Sequence, residues 1–265
     1  MRNVFTILAV AAFASAASAE DTVTKVTTPV GPLLSGEVSL DFAETAAGDI
    51  GGTMNLDLGV DVSGLATVDL NFEATDGNAV TLDTWAVGTT VAGVGVAVGD
   101  DLGVMPGAEG EQTLAAPAMA EAVQVTVGNA TVAVGLTDWT TDVTDVSNVQ
   151  GAYTIDMDRF AITGAMDYNM DSENTVLGGS IGRDIQGVGL TGVVTYDVDG
   201  EKFAFEGVAN VMGITAYANG DQDDAFQNVG GEYTYNIGGA ALTAGANYNV
   251  DTEDFAPTAG LSFNF

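Results

Sequence analysis

Histidine and cysteine are both missing from this 265-residue chain, and lysine and arginine together number only 5. The first two absences remove disulfides, thiol nucleophiles, structural zinc and every imidazole-based acid–base device. A serine nucleophile has no histidine to activate it. Set against 37 Asp and Glu, the few cations leave a formal charge of −32. Phosphate contacts need clustered cations, which argues against nucleic acid as a partner. The same shortage argues against docking on an anionic membrane surface through a basic patch. Proline is scarce at 5, whereas glycine reaches 35 and the chain is 46% hydrophobic. Acidic disordered chains are poor in β-branched and aromatic residues, and this one is full of them. What is left is a β-rich, apolar, carboxylate-dressed protein, and it points away from catalysis.

Long hydrophobic runs are absent too, apart from Val4–Ala17, which only Thr6 and Ser15 interrupt. That run is shorter than the ~20 residues a membrane helix needs. Arg2 precedes it, and Ala17-Ser18-Ala19 gives a small-x-small site before Glu20-Asp21. Residues 1–19 therefore read as a secretory signal peptide and 20–265 as the exported domain. With no other continuously apolar stretch, the exported domain is either soluble outside the cytoplasm or a membrane β-barrel.

Beyond Ser35 the hydrophobic period is two. Val38, Leu40 and Phe42 alternate with Glu37, Ser39 and Asp41. Met54, Leu56, Leu58, Val60 and Val62 alternate with polar residues, and Leu261, Phe263 and Phe265 close the chain in the same way. One apolar and one polar face predict strands, and no helix-period segment competes. Counting such runs predicts about sixteen strands, or about fourteen if two of three weak ones are loop. The weak ones centre near residues 83, 179 and 215, the first because its parity changes between Leu82 and Trp85.

The connections alternate as well. Short links are expected at Ser63-Gly64, Gly88–Thr90, Gly128-Asn129, Asp156–Asp158, Asp184–Gly187, around Asn210, and at Asn236–Gly239. Longer polar links fall at 43–50, 74–79, 99–121, 137–148, 169–175, 198–202, 219–228 and 251–257. A meander with all its long loops on one side produces this rhythm, as transmembrane barrels do. A soluble sandwich has no reason to keep it. The membrane barrel is also the architecture that puts apolar residues on lipid and small polar ones around a wet lumen. Phe42, Phe72, Tyr168, Tyr196, Tyr248, Phe263 and Phe265 fall near strand ends, where interfacial girdles would need them.

Two stretches go further than pattern. Gly231-Glu232-Tyr233-Thr234-Tyr235-Asn236-Ile237-Gly238-Gly239-Ala240, with Leu261-Ser262-Phe263-Asn264-Phe265, resembles the closing strands of alphaproteobacterial (Rhodobacter-type) general porins. Val98-Gly99-Asp100-Asp101-Leu102-Gly103 is similar to the end of their fifth strand and the start of their third external loop. The resemblance implies a transmembrane antiparallel up-and-down β-barrel of 16 strands in the outer membrane of a Gram-negative cell. It further implies a homotrimer and a long third external loop folded into the lumen. A terminal Phe265 would be read by the barrel-insertion machinery as an assembly signal. Asp100, Asp101, Glu109, Glu111 and Glu121, in the link 99–121, would then form an acidic pore constriction loop.

One departure stands out. Porins of this kind oppose the acidic loop with basic side chains on the wall, and here only Lys25, Arg159, Arg183 and Lys202 follow the signal. Their positions predict two short turns, an external loop and the chain before the first strand. The polar face instead supplies Asp57, Asp69, Glu73, Asp167, Glu206 and Glu232 as lumen-facing acids. A narrow wet path lined by one sign of charge enriches cations. The expected function is a water-filled, cation-selective diffusion channel for small hydrophilic solutes, and not an enzyme. Asp142, Asp145, Asp171, Glu173 and other acids fall in the longer links, where acids serve solubility, and both contributions to the charge are expected.

The alternatives are a secreted acidic calcium-dependent adhesin and a plugged structural outer-membrane barrel. The adhesin predicts repeats of fixed period, and none is present. The plugged barrel needs bulky inward side chains, and the polar face is small. No cofactor is expected beyond a structural calcium between acidic loops, of which Asp197-Val198-Asp199-Gly200-Glu201 has a partial spacing.

Overall fold

A computed structural model of the chain describes residues 33–44, 50–62, 65–75, 80–100, 102–106, 119, 121–137, 145–223 and 226–264. The expected signal peptide (1–19), Asp101, Glu109, Glu111 and Phe265 lie outside these residues.

Period-two patterning becomes sixteen strands. They are β1 (Leu33–Glu44), β2 (Ile50–Asp61), β3 (Thr67–Thr75), β4 (Thr81–Val91), β5 (Val94–Gly99), β6 (Ala122–Val127), β7 (Ala130–Leu136) and β8 (Val146–Met157). There follow β9 (Phe160–Asn169), β10 (Thr175–Ile185), β11 (Val188–Asp197), β12 (Lys202–Val211), β13 (Ile214–Asp221), β14 (Asn228–Ile237), β15 (Ala240–Asn249) and β16 (Asp254–Asn264). Each pairs antiparallel with its sequence neighbours, and β1 pairs with β16 to close an up-and-down barrel. Closure leaves no free edge. All three weak segments are strands, so the count is sixteen and not fourteen.

The parity change in β4 has a simple cause. Asn71 pairs with Thr84 and Phe72 with Leu82, leaving Asp83 as the extra residue of a β-bulge. An inserted residue shifts the alternation by one, so Leu82 and Trp85 share a face despite their odd spacing.

Two expected turns are displaced. Gly88–Thr90 lies inside β4, and Asn210 lies inside β12. The chain reverses instead at Ala92-Gly93 and Met212-Gly213, and similarly at Gln186-Gly187. In all three pairs both residues have left-handed φ, from +51° to +86°. Two such residues make the tight turn whose twist matches the flanking strands. Ala92, Gln186 and Met212 are not turn-forming residue types, which is why composition pointed a few residues too early.

From β4 onward two-residue turns alternate with six longer connections, which all lie at one end of the barrel, whereas the first three connections span five residues each, so the short link expected at Ser63-Gly64 is no shorter than its neighbours. The outer face is apolar, with Tyr153, Ile181, Val194 and Tyr235 exposed on it. Phe42, Tyr196, Phe203, Tyr248 and Phe255 ring the long-loop end, while Tyr233, Tyr235 and Phe263 mark the other. Two aromatic belts around an apolar band are the dress of a transmembrane barrel.

Candidate pore

The inner face can be recognised by what reaches it. Gln124 on β6 donates from Nε2 to the Leu102 carbonyl at 3.0 Å, and the Val104 N–H donates to Gln150 Oε1 on β8 at 2.7 Å. A Cβ on Gly178 of β10 would fall 2.9 Å from both Met105 Cε and Pro106 Cδ. Five consecutive residues span at most ~17 Å when extended. They can touch alternate strands from β6 to β10 only from the concave side. The start of the β5–β6 connection therefore runs along the inner wall. Met119 and Ala122 pack with Ala133 of β7 beneath it, with Leu102 and Val104 against them.

With that face fixed, strand parity assigns the acids. Glu37 and Asp41 on β1, Asp57 on β2, and Asp69 and Glu73 on β3 all point inward. Their neighbours hold them through amide and hydroxyl groups. Asn71 donates to Asp57 Oδ1, Asn55 to Asp41 Oδ2 at 3.4 Å, and Thr75 to Glu73 Oε1 at 2.6 Å. None of these donors is a cation. Among the described residues no Lys or Arg stands anywhere on β1–β6. Glu37, Asp57, Asp69, Asn71, Thr84 and Asp100 line one open cavity of about 570 Å³.

Asp100 ties the third long connection to this wall. It follows the last residue of β5, and its N–H donates to the Trp85 carbonyl at 2.7 Å. Gly99 permits the approach, because a Cβ there would lie 2.1 Å from the Trp85 carbonyl oxygen. Burial, and then the charges of Glu121 and the bulged Asp83, raise the Asp100 carboxyl above its ordinary value. Two same-sign neighbours add to desolvation, and all three favour the neutral acid. Of the five acids expected in the constriction loop, Asp100 and Glu121 are thus brought together at the rim of β5 and β6.

The expected lumen acids divide. Asp57 and Asp69 are exposed and Glu73 and Glu232 half-buried, whereas Asp167 and Glu206 retain only 1% and 3% of their surface. Asp167 accepts a 2.9 Å hydrogen bond from Asn148 Nδ2. These two belong to a packed inner wall and do not face open water. The same side carries features that single-residue reading missed. Asn249 donates to Asn228 and Asn228 to Asn219, each at 3.1 Å, forming an amide chain across β15, β14 and β13. Val193, Val208 and Tyr217 also point inward and pack on one another. A run of Asn and Gln at polar-parity positions was the available signal.

No sequence-family model matches the chain, and no curated protein is similar to it in sequence. Solved structures are. A triple mutant of the Rhodopseudomonas blastica porin superposes with a TM-score of 0.59 at 13% identity, covering 88% of this chain and 100% of that one. Salmonella typhi OmpF, solved with daunomycin, gives 0.60 at 10% identity over 88% and 97%. An anion-selective porin from Comamonas acidovorans gives 0.56 at 12% identity over 89% and 99%.

The chain has the fold of bacterial porins. One of these neighbours is described as anion-selective, so the shared fold carries no sign of charge preference.

The described cations do not rebuild an opposing basic wall. Arg159 occupies the β8–β9 turn, and Lys202 begins β12 at the long-loop end, 3.8 Å from Asp223 Oδ2. Arg183, expected in a turn, lies within β10 on its outward face. Lys25 lies outside the described residues. Nor do the acids at 197–201 form a calcium loop. Asp197 Oδ1 accepts from the Asp199 and Gly200 N–H groups at 3.1 and 2.9 Å, and Asp199 Oδ2 from the Thr175 N–H at 3.1 Å. Those oxygens hold turns together. Among the described residues, no group of three or more acids is spaced to hold a metal ion.

Proposed function

We propose that this chain is an outer-membrane porin of the alphaproteobacterial general type, a passive channel for small hydrophilic solutes that prefers cations. The observation carrying the preference is the inner wall of β1–β3, where Glu37, Asp41, Asp57, Asp69 and Glu73 share one face with no described cation on it. A permeating cation is attracted to that wall and an anion repelled, most strongly where low-dielectric walls confine the water. Asp100 and Glu121 extend the acidic strip to the rim, and Asp101, Glu109 and Glu111, outside the described residues, add three more acids to the sequence of the same link. That loop narrows the lumen from the β6–β10 side, opposite the acidic wall.

In this reading residues 1–19 are removed on export, and the strand ending in Phe265 presents the chain to the insertion machinery. Three copies assemble in the outer membrane. No step of the function requires bond chemistry.

Planar-bilayer recording of the refolded protein across a KCl gradient tests it. Stepwise openings with a cation-biased reversal potential are expected. Openings with anion bias would leave the channel and sink the acidic-wall mechanism. Folded, inserted protein that never opens would sink the channel.

A further inference from the structure

The outer wall carries a charge where none is expected. Arg183 is the one charged side chain described on an outward position of regular strand pairing, and it lies two residues from the short-turn end of β10. A guanidinium on a lipid-facing wall is tolerated only where it reaches headgroups or an opposite charge. Among the described residues the single ion pair is Lys202–Asp223, so the barrel itself gives Arg183 no carboxylate.

Beside Arg183 the wall is hollow. Gly192, Gly207 and Ala218 stand side by side in register on β11, β12 and β13. In the next register row Arg183 pairs with Leu190, and Ala209 and Ala216 follow. These small residues leave an open apolar groove of about 570 Å³. A Cβ added to Gly207 would meet nothing within 4 Å. The groove thus combines apolar space with one unanswered positive charge at its edge.

A second copy of the chain fits this poorly, because the outward strand positions that are described offer no carboxylate to meet Arg183. A lipid phosphate meets it directly, through charge-assisted and bidentate hydrogen bonds. We propose that the groove seats one acyl chain of a glycerophospholipid whose phosphate pairs with Arg183, in the leaflet on the short-turn side. The proposal rests on the barrel spanning a membrane, as argued above.

The test uses the full exported chain in mild detergent, titrated with phosphatidylglycerol and followed by native mass spectrometry, with diacylglycerol as the phosphate-free control. One phosphatidylglycerol per barrel is expected. Arg183→Gln should weaken its retention about tenfold and leave diacylglycerol unchanged. Gly207→Leu, which fills the groove from an unobstructed position, should weaken both lipids. Arg159→Gln, in a turn, should weaken neither. Equal retention in Arg183→Gln and the unaltered chain would overturn the site. So would a Gly207→Leu variant that dissociates the oligomer while keeping its lipid, since the groove would then hold a second copy. Bilayer conductance, recorded in parallel, separates the two readings. Bound lipid without conductance overturns the channel and supports the lipid site, whereas protein that will not enter vesicles overturns both.

Discussion

The Val104 N–H and Gln150 Oε1 are joined by a 2.7 Å hydrogen bond across 46 residues of sequence. It latches the start of the third long connection to the wall of β8, and Gln150 has no exposed surface. The barrel ladder does not pass through this bond. It ties the loop to the wall.

Gln150→Leu removes the acceptor and leaves the Val104 N–H without it, at a cost of about 1–3 kcal/mol if the group stays buried. The loop can avoid that cost by leaving the wall. Barrel folding should persist, as judged by heat-modifiable mobility in detergent. Single-channel current should wander among levels that the unaltered protein does not visit. Steady currents at one level would show that the latch holds nothing.

The acidic wall makes a second prediction. A unit charge ~7 Å from a passing cation in water is worth ~0.6 kcal/mol, or about a threefold change in local concentration. Asp57→Asn with Asp69→Asn removes two such charges and keeps shape and hydrogen bonding nearly intact. The cation-to-anion permeability ratio should fall several-fold at low salt. The difference should shrink toward nothing near 1 M salt, where the screening length is ~3 Å. A ratio unchanged at low salt would place the selectivity elsewhere.

Much of this was legible in the residues. Alternation such as Met54, Leu56 and Leu58 against Asn55, Asp57 and Gly59 is enough to make a strand with two different faces. The alternation of short and long links is enough to make a meander. What was illegible depends on contacts distant in sequence. Asp57 and Asp167 look alike along the chain, yet one faces the cavity and the other lies under packed wall. Asp167 sits on β9 between Gln150 of β8 and Val176 of β10, on the stretch of wall that the third connection crosses, and Asp57 does not. Backbone geometry hid the rest. Ala92 and Met212 adopt left-handed φ because a following glycine completes the turn, and their side chains give no sign of it.

Asp100 provides a pH prediction. Its carboxyl is raised by burial and by Glu121 and Asp83. A carboxyl whose folded value exceeds its unfolded value binds more protons when folded. Its contribution to stability is therefore lost as the pH rises from the unfolded value through the raised one. Asp100→Asn should raise the thermal midpoint at about pH 7 and leave it unchanged well below the ordinary carboxylate range. Asp83→Asn should shift the Asp100 titration, followed by NMR, down toward its ordinary value. A midpoint lowered by Asp100→Asn at neutral pH would contradict the assignment.

Gly178 and Gly182 stand on the same face of β10 and differ in what lies above them. A Cβ on Gly178 meets Met105 and Pro106 at 2.9 Å, whereas one on Gly182 meets nothing within 4 Å. Valine suits a strand at either position, so local propensity should favour both variants equally. Packing should separate them. Gly178→Val forces the loop off its seat or compresses it, an overpacking that costs about 1–3 kcal/mol. Gly182→Val adds volume to open water at no such cost. Denaturant unfolding of both variants in the same detergent measures the gap, with Gly178→Val expected at the lower midpoint. Equal midpoints would mean that Met105 and Pro106 yield freely, and that the loop is held to the wall by its hydrogen bonds to Gln124 and Gln150 and by the packing of Leu102 and Val104.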